Sequence, residues 1–267
     1  MIITDKAQIK VVSFKEFDKL HLTTSDELEC YELIESDLKL PADATFTRSS
    51  PAYLSDGTQV PANLPRFEQG KFGKAVMVEE GTVNAISNPS FESGLTGWST
   101  SGAQVTIDTT KKWHGMQAAK LTANATNVSL YQRISVSPGQ VWSVSAYIET
   151  LNLTGNYLFF KVQWFNNGVF VSQASAISVF GTSAMSRRIH NNLTVPTGVN
   201  QLHIEIQLPP GVLSGIAWVD AVQAEQKPYA TSFIDGTRSP ESLTIPGNVL
   251  NPQEGTVEFW VYPFNTV

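Results

Sequence analysis

The chain has 267 residues, 42% hydrophobic and 16% charged, where globular domains usually carry about 25% charged residues. That length and apolar share suit one sandwich with extensions, or two domains, and exclude a chain disordered throughout. A formal net charge of −6 argues against a nucleic-acid partner.

No apolar run reaches the ~18 residues of a membrane span, so no membrane insertion is expected. The opening MIITDKAQIKVVSF has neither a basic n-region before an apolar stretch nor a lipidation signal, and Sec-type export is not expected. Cys30 is the one cysteine, which excludes an internal disulfide and a Cys-based zinc or iron–sulfur site. Four histidines with no HExxH or HxH pair give no His-rich metal centre.

Residues 1–43 form an acidic segment, with ten acids against five lysines. Within it SDELECYELIESDLKL places Leu28, Tyr31, Leu33 and Leu38 at loosely helical spacing, and a strand pair fits nearly as well. Its acids read as a solvated face. Residues 44–87 read as an extended connector laid along a neighbouring surface, broken by Ser55-Asp56-Gly57, Pro61 and Pro65, which favour turns and discourage helix.

Residues 88–226 are strand after strand. VWSVSAYIET alternates Trp142, Val144, Ala146 and Ile148 against Ser143, Ser145, Tyr147 and Glu149. YLFFKVQWF and QLHIEIQL alternate in the same way. Period two with one polar face predicts antiparallel sheet, because successive side chains point to opposite faces. Turn clusters at 137–139, 154–156, 166–168, 196–198 and 209–211 recur at sandwich intervals. The expected fold is all-β, an antiparallel β-sandwich of the jelly-roll kind with an N-terminal extension and a partial C-terminal segment. In residues 227–267, SLTIPG and GTVEFWVYPF read as opening strands of another sheet, too few to bury a core alone. They join the preceding domain, pair between subunits, or belong to a longer protein; the last reading is preferred.

NPSFESGLTGW from Asn88 resembles the opening of carbohydrate-binding modules of the family four and family nine type. HGMQAAKL at His114, SVSPGQVWSVSAYI at Ser135 and IAWVDAVQAE at Ile216 resemble further strands of those modules, in order. ATFTRSSPAYLSDGTQVPANLPRFE and KAVMVEEGTVN resemble the segment preceding such modules in bacteriophage tail and minor structural proteins. PYATSFIDGTRSPESLTIP followed by EGTVEFWVYP resembles the exit into a concanavalin/laminin-G-like domain. These resemblances imply a jelly roll, a glycan ligand and a virion protein of a phage tail, with an extracellular location as the alternative.

Catalysis is not expected. Glycoside cleavage needs two carboxyls roughly 5–9.5 Å apart, and few acids are available in the sandwich; no nucleophile elbow, P-loop or dinucleotide fingerprint occurs. For a metal, a jelly roll can bring Glu92 and Asp220 together, and hard carboxylate and carbonyl oxygens suit Ca²⁺. The resemblance implies a structural calcium with carbonyls from around Ser90 and Lys112. The alternative is that Glu92 caps a turn and Asp220 accepts backbone N–H bonds. For a sugar, aromatic faces flanked by polar groups are needed. The outward set Tyr147, Glu149, Phe159, Lys161, Gln163, His203, Glu205 and Gln207 has that composition, with Trp218 pointing there or into the core. Trp142 and Trp164 alternate with aliphatics and are expected in the core.

The leading expectation is a non-catalytic glycan-binding module of a phage tail or tail-fibre protein, attaching to bacterial surface polysaccharide beside other tail proteins. The alternatives are a structural module that trimerises the fibre without sugar, the homotrimer being one assembly open to it, and an accessory module of a secreted glycoside hydrolase.

Overall fold

The computed structural model describes residues 9–12, 20–24, 27–31, 40, 44–70 and 73–244. The chain divides into two compact units, one of residues 83–237 and one drawn from both sides of it in sequence, up to residue 82 and from residue 238.

The unit of residues 83–237 is all-β. Its strands are β1 (Ser99–Ser101), β2 (Val105–Asp108), β3 (Ala118–Thr122), β4 (Val128–Ser135), β5 (Val141–Asn166), β6 (Val169–Thr194), β7 (Gln201–Leu208) and β8 (Ser214–Glu225). They form one antiparallel hydrogen-bonded sheet in the order β1-β4-β7-β5-β8-β3-β2, with β6 paired along β5. This is the expected class, reached by an unexpected route. VWSVSAYIET and YLFFKVQWF are two halves of a single 26-residue strand, β5.

The halves of β5 have different partners. The first pairs with β8, from Ser143↔Glu225 to Thr154↔Ser214. The second pairs with β7, from Phe159↔Gln207 to Phe165↔Gln201. Between them the register against β6 shifts at Ile148/Thr150, Thr150/Leu153 and Leu153/Leu158, and bulges bend a strand and raise its twist. Thr154-Gly155-Asn156, expected as a turn between strands, lies within this bend. Gly155 has φ 86°, and a Cβ there would sit 2.2 Å from the Gly211 carbonyl oxygen.

The bend folds the ribbon into two walls. One wall is β1, β4, β7, the second half of β5 and the first half of β6. The other is the second half of β6, the first half of β5, β8, β3 and β2. Both turn their apolar alternates onto one core, with Val144, Ala146, Ile148, Leu158, Phe160, Val162, Ile204 and Ile206 all at 0% exposure. Trp142 and Trp164 lie in it as expected. β5 and β6 are joined by Asn167 and Gly168 at φ 47° and 81°, the positive pair a two-residue hairpin needs.

The sandwich is longer than residues 88–226. Before it, the Asn84 side chain donates to the carbonyls of Val222 (3.0 Å) and Ile234 (3.1 Å) and accepts from the Ala224 amide (3.0 Å). After it, the buried Glu225 carboxylate accepts from the Thr231 amide (2.6 Å) and hydroxyl (2.8 Å). Buried polar side chains stitch both ends to β8.

The other unit corrects two boundaries. Residues 44–82 have buried side chains of their own, among them Phe46, Ala52, Tyr53, Ala75, Val76 and Met77, so they are more than a connector. Ser242–Thr244 pairs antiparallel with Thr45–Thr47, so that strand belongs with the earlier segment and does not open a separate sheet. The two are tied by buried charge. Glu241 pairs with Arg48 (2.7 Å) and Arg66 (2.7 Å), and Glu79 with Arg66 (2.6 Å) and Arg238 (3.1 Å). In the acidic N-terminal segment Leu20–Thr24 pairs antiparallel with Glu27–Tyr31, which agrees with the strand-pair alternative there; Leu33 and Leu38 lie outside the described residues. GTVEFWVYPF lies outside the described residues.

Candidate functional site

The wall built on β7 presents an ordered outer face. Antiparallel register sets directly opposed residues on one side of a sheet, and four cross-strand rows follow. Ser129, Gln207, Phe159 and Ser178 make one; Tyr131, Glu205, Lys161 and Ala176 the next; Arg133, His203, Gln163 and Gln173 the third; Ser135, Gln201, Phe165 and Phe170 the last. Six of the nine expected ligand residues therefore share this face: Phe159, Lys161, Gln163, His203, Glu205 and Gln207.

The polar groups there hold one another. The Lys161 ammonium donates to Gln207 and pairs with Glu205 at 3.8 Å, and Gln207 donates in turn to Asn127 Oδ1 (2.6 Å). Lys161 Nζ also lies 5.4 Å from the Phe159 ring centre. Burial, with the Arg133 and Lys161 charges beside it, lowers the His203 pKa to about 4, so its imidazole is neutral near pH 7.

Aromatic rings stand at both ends of the rows. Tyr157 packs on Phe180 at 5.2 Å and on Phe159 at 6.4 Å, and Tyr157 and Phe180 are 48% and 55% exposed. At the far end Phe165 contacts Phe170 at 5.7 Å and His203 at 4.8 Å, and Tyr131 contacts His203 at 4.9 Å. Tyr131, Arg133, Tyr157, Phe170 and Phe180 are absent from the sequence-based set. The signal existed: VSLYQRIS alternates Ser129, Tyr131, Arg133 and Ser135 against Val128, Leu130 and Ile134.

Tyr147, Glu149 and Trp218 lie elsewhere, which corrects the single groove expected from the sequence. Register pairs Tyr147 with Asp220 and Glu149 with Trp218, on the first half of β5 and on β8. The bend between the two halves puts them on the other wall. Tyr147 is outward but covered: its ring stacks on Trp113 at 3.7 Å and 15°, leaving 9% exposed. Trp218 is buried, and its indole N–H donates to Asp108 (2.9 Å). Glu149 pairs with Lys111 at 2.6 Å.

The cover is the 109–117 loop. Its Trp113 and His114 amides donate to Asp220 Oδ2 (2.7 and 2.8 Å), and its Met116 amide to Glu92 Oε1 (2.8 Å). The Ala221 amide donates to Asp220 Oδ1 (2.6 Å). Asp220 is fully buried, and desolvation pushes its pKa up to about 7, with the Glu92 charge adding to the rise against the three amide bonds. Ser90 Oγ is buried without a hydrogen-bond partner. The loop carrying Lys112 thus bonds both Asp220 and Glu92 through its amides, and Asp220 accepts the backbone N–H bonds of the alternative reading. Among the described residues no group of three His, Cys, Asp or Glu gathers to hold a metal.

Solved structures similar to the chain include "Family 16 Carbohydrate Binding Module-2", at 18% identity and TM-score 0.43, covering 53% of this chain and 99% of that one. The CBM22-1 xylan-binding domain from Paenibacillus barcinonensis Xyn10C matches at 19% and 0.40, covering 52% and 92%. The enzymatically active domain of Bacteriophage CBA120 tailspike protein 4 matches at 16% and 0.42, covering 57% of this chain and 22% of that one. No curated protein matches the chain. Residues 83–212 match the family model CBM_4_9, described as a carbohydrate binding domain.

Proposed function

We propose that the chain is a non-catalytic, glycan-binding part of a phage tail or tail-fibre protein, and that the sandwich attaches it to bacterial surface polysaccharide through the outer face of β4, β7, β5 and β6. The observation that carries this reading is the set of cross-strand rows: exposed rings at both ends, with hydrogen-bonding side chains already held between them. Sugars expose C–H patches that pack on ring faces and hydroxyls that bond amides and carboxylates. Several copies per virion, as in a homotrimer beside other tail proteins, raise weak affinity by effective concentration.

The test is titration of the purified chain against a panel of cell-surface polysaccharides. Tyr157→Ala removes an exposed ring, and buried apolar area is worth roughly 25 cal/mol per Å², so affinity falls about tenfold. Gln163→Ala removes a partner whose net hydrogen bond is worth about 0.5–1.5 kcal/mol, and the loss is smaller. Absence of binding to every polysaccharide in the panel overturns the reading.

We also propose a structural Ca²⁺ held by Asp220, Glu92, Ser90 and the main chain at Lys112. The Glu92 charge acts on Asp220, no Lys or Arg among the described residues pairs with either carboxylate, and Ser90 Oγ stands unpartnered, a donor set of hard oxygens that fits Ca²⁺. The ion would pin the 88–98 and 109–117 loops to β8. Ca²⁺ at a hundred times its dissociation constant adds about 2.7 kcal/mol, which raises Tm by about 5–10 °C in a unit of this size. Glu92→Gln, at an exposed position, should remove most of that rise, and Asp220→Ala all of it. A melting curve unmoved by EDTA and by added Ca²⁺ removes the site.

A further inference from the structure

Arg133 is held as a rigid cation at one end of the candidate face. Its guanidinium carbon lies 4.0 Å from the Phe165 ring centre, and its Nε–H donates to His203 Nδ1 (2.9 Å). Accepting that bond places the His203 proton on Nε2 and requires the neutral ring that burial already favours. Arg133 thus has its stem and Nε fixed by two contacts, while the residue is exposed. Among the described residues its terminal nitrogens make no hydrogen bond and no ion pair. The nearest acid on the face, Glu205, is matched to Lys161. One positive charge is therefore left over on this face.

We propose that Arg133 binds an oxyanion carried by the glycan, so that the ligand is an acidic polysaccharide. This rests on the glycan-binding reading above and narrows its substrate class. A guanidinium presents two parallel N–H donors that match a carboxylate or phosphate edge. A fork already immobilised by stacking loses little side-chain freedom on binding. The oxyanion is the carboxylate of a uronic acid or the phosphodiester of a polyol-phosphate chain, and Gln163 and Gln173, in the same cross-strand row, face the adjoining hydroxyls.

The experiment is calorimetric titration of the full chain, at physiological salt, with oligogalacturonate, its methyl ester and poly(glycerol phosphate). The acid should bind about tenfold tighter than the ester, as expected for a charge-assisted bond in place of a neutral one, and Arg133→Gln should abolish that preference. Arg133→Lys keeps the charge without the fork and should recover less than a third of it. If the phosphate polymer, and not the uronate, shows the Arg133-dependent preference, the phosphodiester source is the correct one. Equal binding of acid and ester with no Arg133-dependent phosphate binding overturns the proposal and leaves glycan binding standing. No binding of any polysaccharide in the wider panel overturns both.

Discussion

Truncating Tyr147 to alanine should destabilise the sandwich by about 3–4 kcal/mol, in the range of buried aromatic truncations. The ring is sealed beneath Trp113, which also meets Phe233 edge-on at 5.7 Å. Removing it leaves a void under the 109–117 loop, whose amides hold Asp220. Chemical denaturation of the purified chain gives the number. A Tyr147→Ala protein of unchanged stability that no longer binds polysaccharide would return Tyr147 to the sugar face and refute the packing role.

Tyr147 also shows how far alternation reaches. Period two identified it as pointing away from the core, and it does, between the inward Ala146 and Ile148. Alternation does not tell what lies on that outer side. Here the cover is a loop more than thirty residues earlier in sequence, and no local pattern near Tyr147 encodes it. Phe159, Lys161, Gln163, His203, Glu205 and Gln207 were legible together because two alternating runs paired in antiparallel register must share a face. Tyr147 and Glu149 fall on the other wall because their run and YLFFKVQWF are one bent strand, β5, and Trp218 goes with them through its pairing with Glu149. The Asn152 and Gly155 positions, at φ 52° and 86°, suit a turn and a bulge equally well by residue type. Only the long-range pairing with β7 and β8 separates the two.

Glu241→Ala should cost about 3–5 kcal/mol in the unit formed by residues 44–82 and 238–244, because it strands buried arginines. Glu241 Oε1 accepts from Arg48 Nη1 (2.7 Å) and Arg66 Nε (2.9 Å), and Oε2 from Arg66 Nη2 (2.7 Å) and the Glu79 amide (2.8 Å). The side chains of Arg48, Arg66, Arg238, Glu79 and Glu241 are at most 1% exposed. Among the described residues three guanidiniums face these two carboxylates, and losing Glu241 takes the charge partner from Arg48 and one of two from Arg66 in a dry interior. Desolvation already lowers the Arg48 pKa, with Glu241 as its main counterweight. Sequence position hides this dependence entirely: Glu241 is 193 residues from Arg48 and 175 from Arg66, with the whole sandwich between them. Faster limited proteolysis within residues 44–82, and a lower unfolding midpoint for that unit, are the expected readouts. Glu241→Gln keeps the shape and one acceptor but not the charge, so it should fall between the wild type and Glu241→Ala. A Glu241→Ala protein as resistant as the wild type would mean that Arg48 and Arg66 do not depend on the Glu241 charge.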